Sequence, residues 1–170
     1  MKNNLFYGGE VDGFKYTDKE YNRETGSYYW VTTRLLRESG PWPASYIKSP
    51  EDVYDLAKDQ LDIENCDREH FVAIFLNHKG IVNAAEVISV GGLHSSIVHP
   101  REVFKPALLV SAASIILLHN HPSGDPTPSR EDIDITNRLI EAGKLMGIEV
   151  LDHVVVGYDN YVSLKARGFI

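Results

Sequence analysis

The run Leu118-His119-Asn120-His121-Pro122-Ser123-Gly124-Asp125-Pro126-Thr127-Pro128-Ser129-Arg130-Glu131-Asp132 changes character twice. It leaves an apolar segment, Ser114–Leu118, that reads as a buried strand. It then crosses a Pro/Gly loop and enters an amphipathic helix predicted over Ser129–Met146, with Ile135, Leu139, Ala142 and Met146 on one face and Gly147 as its stop. His119 and His121 sit at i and i+2, so in a strand both imidazoles project from one face and are able to bind one cation together. Ten residues separate His121 from Asp132. A rigid loop of that length can fold the first turn of the helix back onto the strand end. Two neutral imidazoles and one carboxylate leave a fourth position for water, the layout of a catalytic zinc site and not of a structural one. Such an ion lowers the water's pKa toward ~7. A plainer reading stands beside this one: Ser129-x-x-Asp132 is a good capping box, in which both side chains satisfy helix-end N–H groups.

Outward from this run the grammar is α/β. Ser49-Pro50-Glu51-Asp52 is a helix start, with Ser as N-cap and acids at the positive end of the dipole, and helical spacing continues over 50–62. Phe71–Leu76 reads as a buried strand and Ile81–Val90 as its hairpin partner across Asn77-His78-Lys79-Gly80. A helix is predicted over 100–112, with Pro106 tolerated only in its first turns. Ile148–Val156 is a further strand, and 158–164 a small edge strand. Residues 1–45 differ, with Tyr7, Tyr16, Tyr21, Tyr28, Tyr29, Trp30 and Trp42 among scattered glycines. They read as an irregular aromatic-rich arm, with a strand expected over 28–36, ahead of one domain over 46–170.

Composition bounds the function classes. A chain of 170 residues with 43% hydrophobic and 24% charged residues is an ordinary globular domain. No apolar run reaches membrane-spanning length and no signal core opens the chain, so the cytoplasm is the expected compartment. One cysteine, Cys66, excludes an internal disulfide and a multi-cysteine zinc site, and reads as structural. Lys and Arg number 17 against 24 acids, a net charge of −7, without a basic run. Direct nucleic-acid binding is therefore not expected.

His-x-His, seven residues, Ser, two residues, Asp matches the signature of the JAMM (MPN-domain) metalloproteases. The wording His119-Asn120-His121-Pro122-Ser123-Gly124-Asp125-Pro126-Thr127-Pro128-Ser129 resembles the RadC branch of that superfamily, as do Val98–Lys105 and Leu151-Asp152-His153. The resemblance covers about residues 48–167. It implies a curved mixed β-sheet flanked by helices, cytidine deaminase-like in its fold. It implies His119, His121 and Asp132 as Zn2+ ligands, and Ser129 as the donor to a developing oxyanion or to the water. It also implies an upstream glutamate as general base, for which Glu69 fits; Glu86 is the rival and Glu102 a distant third. His153 is read as support for a ligand or as a satisfied core residue, and His70, His78, His94 and His99 as turn or surface groups.

The expected function is a zinc hydrolase of peptide or isopeptide bonds, with a peptide or protein as substrate. The alternative is a non-catalytic, metal-stabilised interaction module associated with DNA repair or mobile elements. A nuclease reading fits less well, since a nitrogen-rich site with one carboxylate suits zinc better than magnesium. Longer RadC proteins usually carry a helix-hairpin-helix segment, which residues 1–45 do not resemble. The substrate and the oligomeric state are left open by these residues.

Overall fold

The computed structural model describes residues 46–91 and 98–170, with the backbone of 10–11 and 14–15. The chain divides into two compact units, Met1–Thr32 and Thr33–Ile170. In the first, β1 (Glu10–Val11) pairs antiparallel with β2 (Phe14–Lys15). The strand expected over 28–36, the boundary expected at 45 and His94 lie outside the described residues.

In the second unit, described from Tyr46 onward, five strands run in the order β4-β3-β5-β6-β7 among the described residues. They are β3 (His70–Leu76), β4 (Val82–Val90), β5 (Ser114–Asn120), β6 (Glu149–Val156) and β7 (Tyr161–Ser163). β3 is antiparallel to β4 and β5, and β7 is antiparallel to β6. β5 and β6 are parallel, joined through the long helix α3 (Arg130–Met146). The mixed sheet flanked by helices is the class expected from the sequence.

Each face of the sheet is covered. Phe71, Ala73, Phe75, Ile115 and Leu117 pack with Val103, Phe104 and Ala107 of α2 (Pro100–Leu109) and with Leu139 of α3. Val72, Ile74, Ile116, Leu118 and Val154 pack on the other face with Val53, Leu56 and Ala57 of α1 (Pro50–Asp59). β5 lies at the centre and is buried along its whole length, which explains the unbroken apolar run Ile115–Leu118. Alternation then assigns the polar end of β5: His119 follows Ile115 and Leu117 toward α3, whereas Asn120 follows Ile116 and Leu118 toward the α1 side.

Three boundaries differ from expectation. β5 runs two residues past Leu118, because His119 and Asn120 continue the ladder opposite Val155 and Val156. α1 ends at Asp59, not 62; Asp62 takes a left-handed φ of 48° and opens a short 3-10 turn over Ile63–Asn65. In α2, Pro106 sits in the interior and not the first turns. It is buried, and the helix stops three residues later, before Ser111 at φ 52°. Gly157, after β6, meets the loop behind the histidines: a Cβ there would collide with the Gly124 carbonyl and the Pro126 ring. Tyr158 N–H donates to that same Gly124 carbonyl at 3.0 Å, so the turn between β6 and β7 seats residues 121–128.

Candidate metal centre

Strand, loop and helix bring three ligating groups together. His119 Nε2 lies 3.0 Å from His121 Nε2 and 3.3 Å from Asp132 Oδ1, and His121 Nε2 lies 3.6 Å from Asp132 Oδ2. One ligand atom from each residue falls within 4.8 Å of the others. Ligand bonds of 2.0–2.1 Å on a tetrahedral ion put donor atoms roughly 3.3 Å apart, so the spacing is that of a four-coordinate cation. His119 and Asp132 are buried, while the side chain of His121 is 14% exposed and leaves the site a solvent side.

The hydrogen bonds around the cluster determine which nitrogens carry protons. Thr136 Oγ1 gives its single proton to the Asp132 backbone carbonyl. It must therefore accept from His153, whose Nδ1 lies 2.6 Å away. Burial drives the His153 pKa well below that of an ordinary imidazole, with the neighbouring His119 acting in the same direction, so the ring is neutral. His153 Nε2 is then an acceptor and takes the Nδ1–H of His119 at 2.8 Å. On the other side, His121 Nδ1–H donates to the Asp125 carbonyl at 2.7 Å. That carbonyl is itself held by the turn in which Asp125 Oδ1 accepts from Thr127 N–H and Oγ1–H at 2.9 and 2.7 Å. In their neutral forms both histidines thus turn unprotonated Nε2 atoms toward Asp132.

Asp132 serves two masters with its two oxygens. Oδ2 accepts from Ser129 N–H and Ser129 Oγ–H, each at 2.7 Å, while Asp132 N–H donates to Ser129 Oγ at 3.1 Å. The capping box is therefore real. Oδ1 is buried and has no hydrogen-bond partner. A buried carboxylate oxygen without a hydrogen-bond partner, 3.3 Å from an imidazole nitrogen, is costly unless a cation sits between them, and the donor set fits a metal ion. Burial by itself would raise the Asp132 carboxyl, yet contacts with His119, His121 and Ser129 hold it well below the usual carboxylate range. His121 is raised chiefly by Asp132, against burial, with help from the Asp125 carbonyl and the charge of Glu69.

Of the other residues singled out by sequence, Ser129 touches the centre through Asp132. Glu69 is half-buried immediately before β3. Phe71 pairs with His119, so Glu69, two residues earlier, belongs to the same face and the same end of the sheet, in electrostatic reach of His121. Glu86 and Glu102 instead line a separate cleft with Lys105, Pro106 and Leu109. His153 supports His119 and is no ligand here; His99 caps α2 by accepting from Arg101 N–H. Two contributors were not anticipated, Thr136 and Asn120. Thr136, one turn after Asp132 on α3, carried no signal beyond being a polar residue on an apolar helix face.

Thr136→Val tests the relay. It leaves the Nδ1–H of His153 buried and unpaired, while the Asp132 carbonyl keeps its intrahelical N–H partner, and this costs about 1–3 kcal/mol. Loss of such a supporting bond is expected to weaken metal binding about 10–100-fold. Denaturant midpoints and competition with a chromophoric chelator measure the two effects.

A family model described as the RadC-like JAB domain matches residues 47–169. A UPF0758 protein of Syntrophomonas wolfei is 64% identical over 126 residues, covering 73% of this chain and 54% of the relative. A UPF0758 protein of Desulforamulus reducens is 59% identical over 124 residues, covering 73% and 54%. One from Methanosarcina mazei is 52% identical over 128 residues, covering 75% and 55%. The chain thus spans about half the length of the curated relatives it matches. Among the described residues no helix is long and apolar enough to cross a membrane. With the sheet, the flanking helices and the His-His-Asp cluster in agreement, the chain belongs to the RadC-like JAB domain family.

Proposed function

We propose that this domain is a zinc-dependent hydrolase of peptide or isopeptide bonds. The observation that supports it most is the buried Oδ1 of Asp132, which has no hydrogen-bond partner and lies 3.3 Å from His119 Nε2, itself 3.0 Å from His121 Nε2. Two nitrogens and one oxygen suit zinc and leave a coordination position for solvent. When bound, zinc supplies a Lewis-acidic charge and acidified water.

The chain's own residues do the rest. The His153–Thr136 relay holds His119 in the tautomer that presents Nε2, and the Asp125 carbonyl does the same for His121. Glu69, beside the solvent side of His121, takes a proton from the attacking water and returns it to the departing amine. Ser129 turns its hydroxyl from Asp132 Oδ2 toward the substrate carbonyl oxygen as negative charge develops there. Digestion of a mixed peptide library by fully zinc-loaded protein tests the reading. Cleavage that stops with a chelator and resumes with zinc supports it. A silent digest at full zinc occupancy overturns it in favour of a metal-stabilised interaction module.

A further inference from the structure

Between the two histidines lies Asn120, a buried amide whose side chain leaves the metal side of the sheet. Its Oδ1 accepts the backbone N–H of His70 at 2.7 Å, and its Nδ2 donates to the carbonyl of Arg68 at 3.0 Å and more weakly to that of Cys66 at 3.5 Å. Arg68 and His70 are the two neighbours of Glu69. One amide therefore grips the backbone on both sides of Glu69, while the Glu69 carbonyl is taken by Gly91 N–H at 2.9 Å. The tripeptide His119-Asn120-His121 divides its labour by strand alternation: two imidazoles go to the cation on one face and a clamp to the other.

We propose that Asn120 is the positioning residue for Glu69. The inference rests on the reading of Glu69 as the base. It explains why an amide stands at this place. The site needs an acceptor and a donor on two separate atoms, a pairing that a carboxylate, a single hydroxyl or an apolar side chain does not supply. Asp keeps the acceptor for His70 and loses the donor for Arg68; Gln has both but carries an extra methylene into a buried space. The segment 66–69 lies just outside β3, and beside the Gly91 bond to the Glu69 carbonyl, Asn120 links the histidine strand directly to the residue that must reach the water. A displacement of about 1 Å in such a group costs on the order of 100-fold in rate.

The test uses the whole chain as Asn120→Ala, Asn120→Asp, Glu69→Gln and the double variant Asn120→Ala/Glu69→Gln. Zinc content should remain at the wild-type level in all four, since the histidines are held through their Nδ1 atoms. On a peptide cleaved by the wild type, Asn120→Ala should lower kcat about 100-fold with KM unchanged, and the double variant should be no slower than Glu69→Gln alone. A second readout needs no substrate. With cobalt(II) in place of zinc, Glu69→Gln should change the visible spectrum, and Asn120→Ala should change it in the same way without adding to the double variant. Independent, multiplying effects, loss of metal in Asn120→Ala, or a wild-type spectrum in Asn120→Ala beside a changed one in Glu69→Gln would each overturn the role. So would a Glu69→Gln spectrum identical to the wild type. A wild type that cleaves nothing would sink the hydrolase reading alone, and the cobalt spectra would still decide whether Asn120 holds Glu69.

Discussion

Asp132→Asn should empty the metal centre while leaving the metal-free fold standing. Wild-type protein is expected to carry about one zinc per chain, and the variant less than about a tenth of that after dialysis. The two oxygens of Asp132 have separate duties, and the amide retains one of them. Its carbonyl can still accept from Ser129 N–H and Oγ–H, as Oδ2 does now. Its NH2 then stands where Oδ1 stood and donates to the imidazole nitrogen 3.3 Å away. A metal ligand has become a hydrogen-bond donor, which satisfies the histidines without any ion. Asp132→Ala, in contrast, also loses the side-chain half of the capping box and leaves the Ser129 N–H without its acceptor, about 1–3 kcal/mol. A calorimetric or denaturant comparison without metal should therefore rank wild type and Asp132→Asn together and Asp132→Ala below them. Stoichiometric zinc in Asp132→Asn would show that the carboxylate is only a helix cap.

The same cluster makes metal affinity depend on pH, with a sign that follows from His121. Its pKa is raised above the ordinary imidazole value, first by Asp132. Zinc must displace that proton, so affinity should fall about tenfold per pH unit below the raised value and level off above it. Metal-free stability runs the other way. The proton shared with Asp132 contributes fully below the unfolded value of about 6.5 and is lost as pH rises through the folded value. Chelator competition and melting curves from about pH 5.5 to 8.5 should cross accordingly.

How much of this was legible beforehand depends on the distance over which each contact is made. His119, His121 and Asp132 lie within one strand–loop–helix unit, and the loop residues that shape it are punctuation any chain must use; the cluster is therefore readable from spacing. The end of β5 was not, because His119 and Asn120 are polar and only the pairing with Val155 and Val156 shows them to be strand. The relay was invisible for a related reason. His153 reaches His119 diagonally across the parallel β5–β6 register, in which its direct partner is Leu117. That register is set by the packing of α3 and by no local signal. Pro106 misled because propensity forbids what tertiary burial tolerates. Position along the sheet, and not its face, separates the two rival glutamates: Glu86 lies opposite Ala73 on the outer strand β4, at a cleft shared with Glu102 and Lys105, whereas Glu69 precedes β3 at the histidine end.

That placement carries the sharpest functional expectation. Glu69→Gln removes a proton acceptor and keeps the size and the neighbouring backbone bonds of the side chain it replaces. General acid–base groups contribute about 10²–10⁴-fold, so kcat should drop by that factor with KM and zinc content unchanged. Glu86→Gln supplies the control: a change at the cleft beside α2 should leave rate and metal as they are in the wild type. The outcome is decided by the comparison, since either variant alone is open to the objection that it disturbed folding. Full activity in Glu69→Gln together with a dead Glu86→Gln would move the base to β4. That result would contradict the placement of Glu69 immediately before β3, at the end of the sheet where β3 meets His119 and His121 opens to solvent.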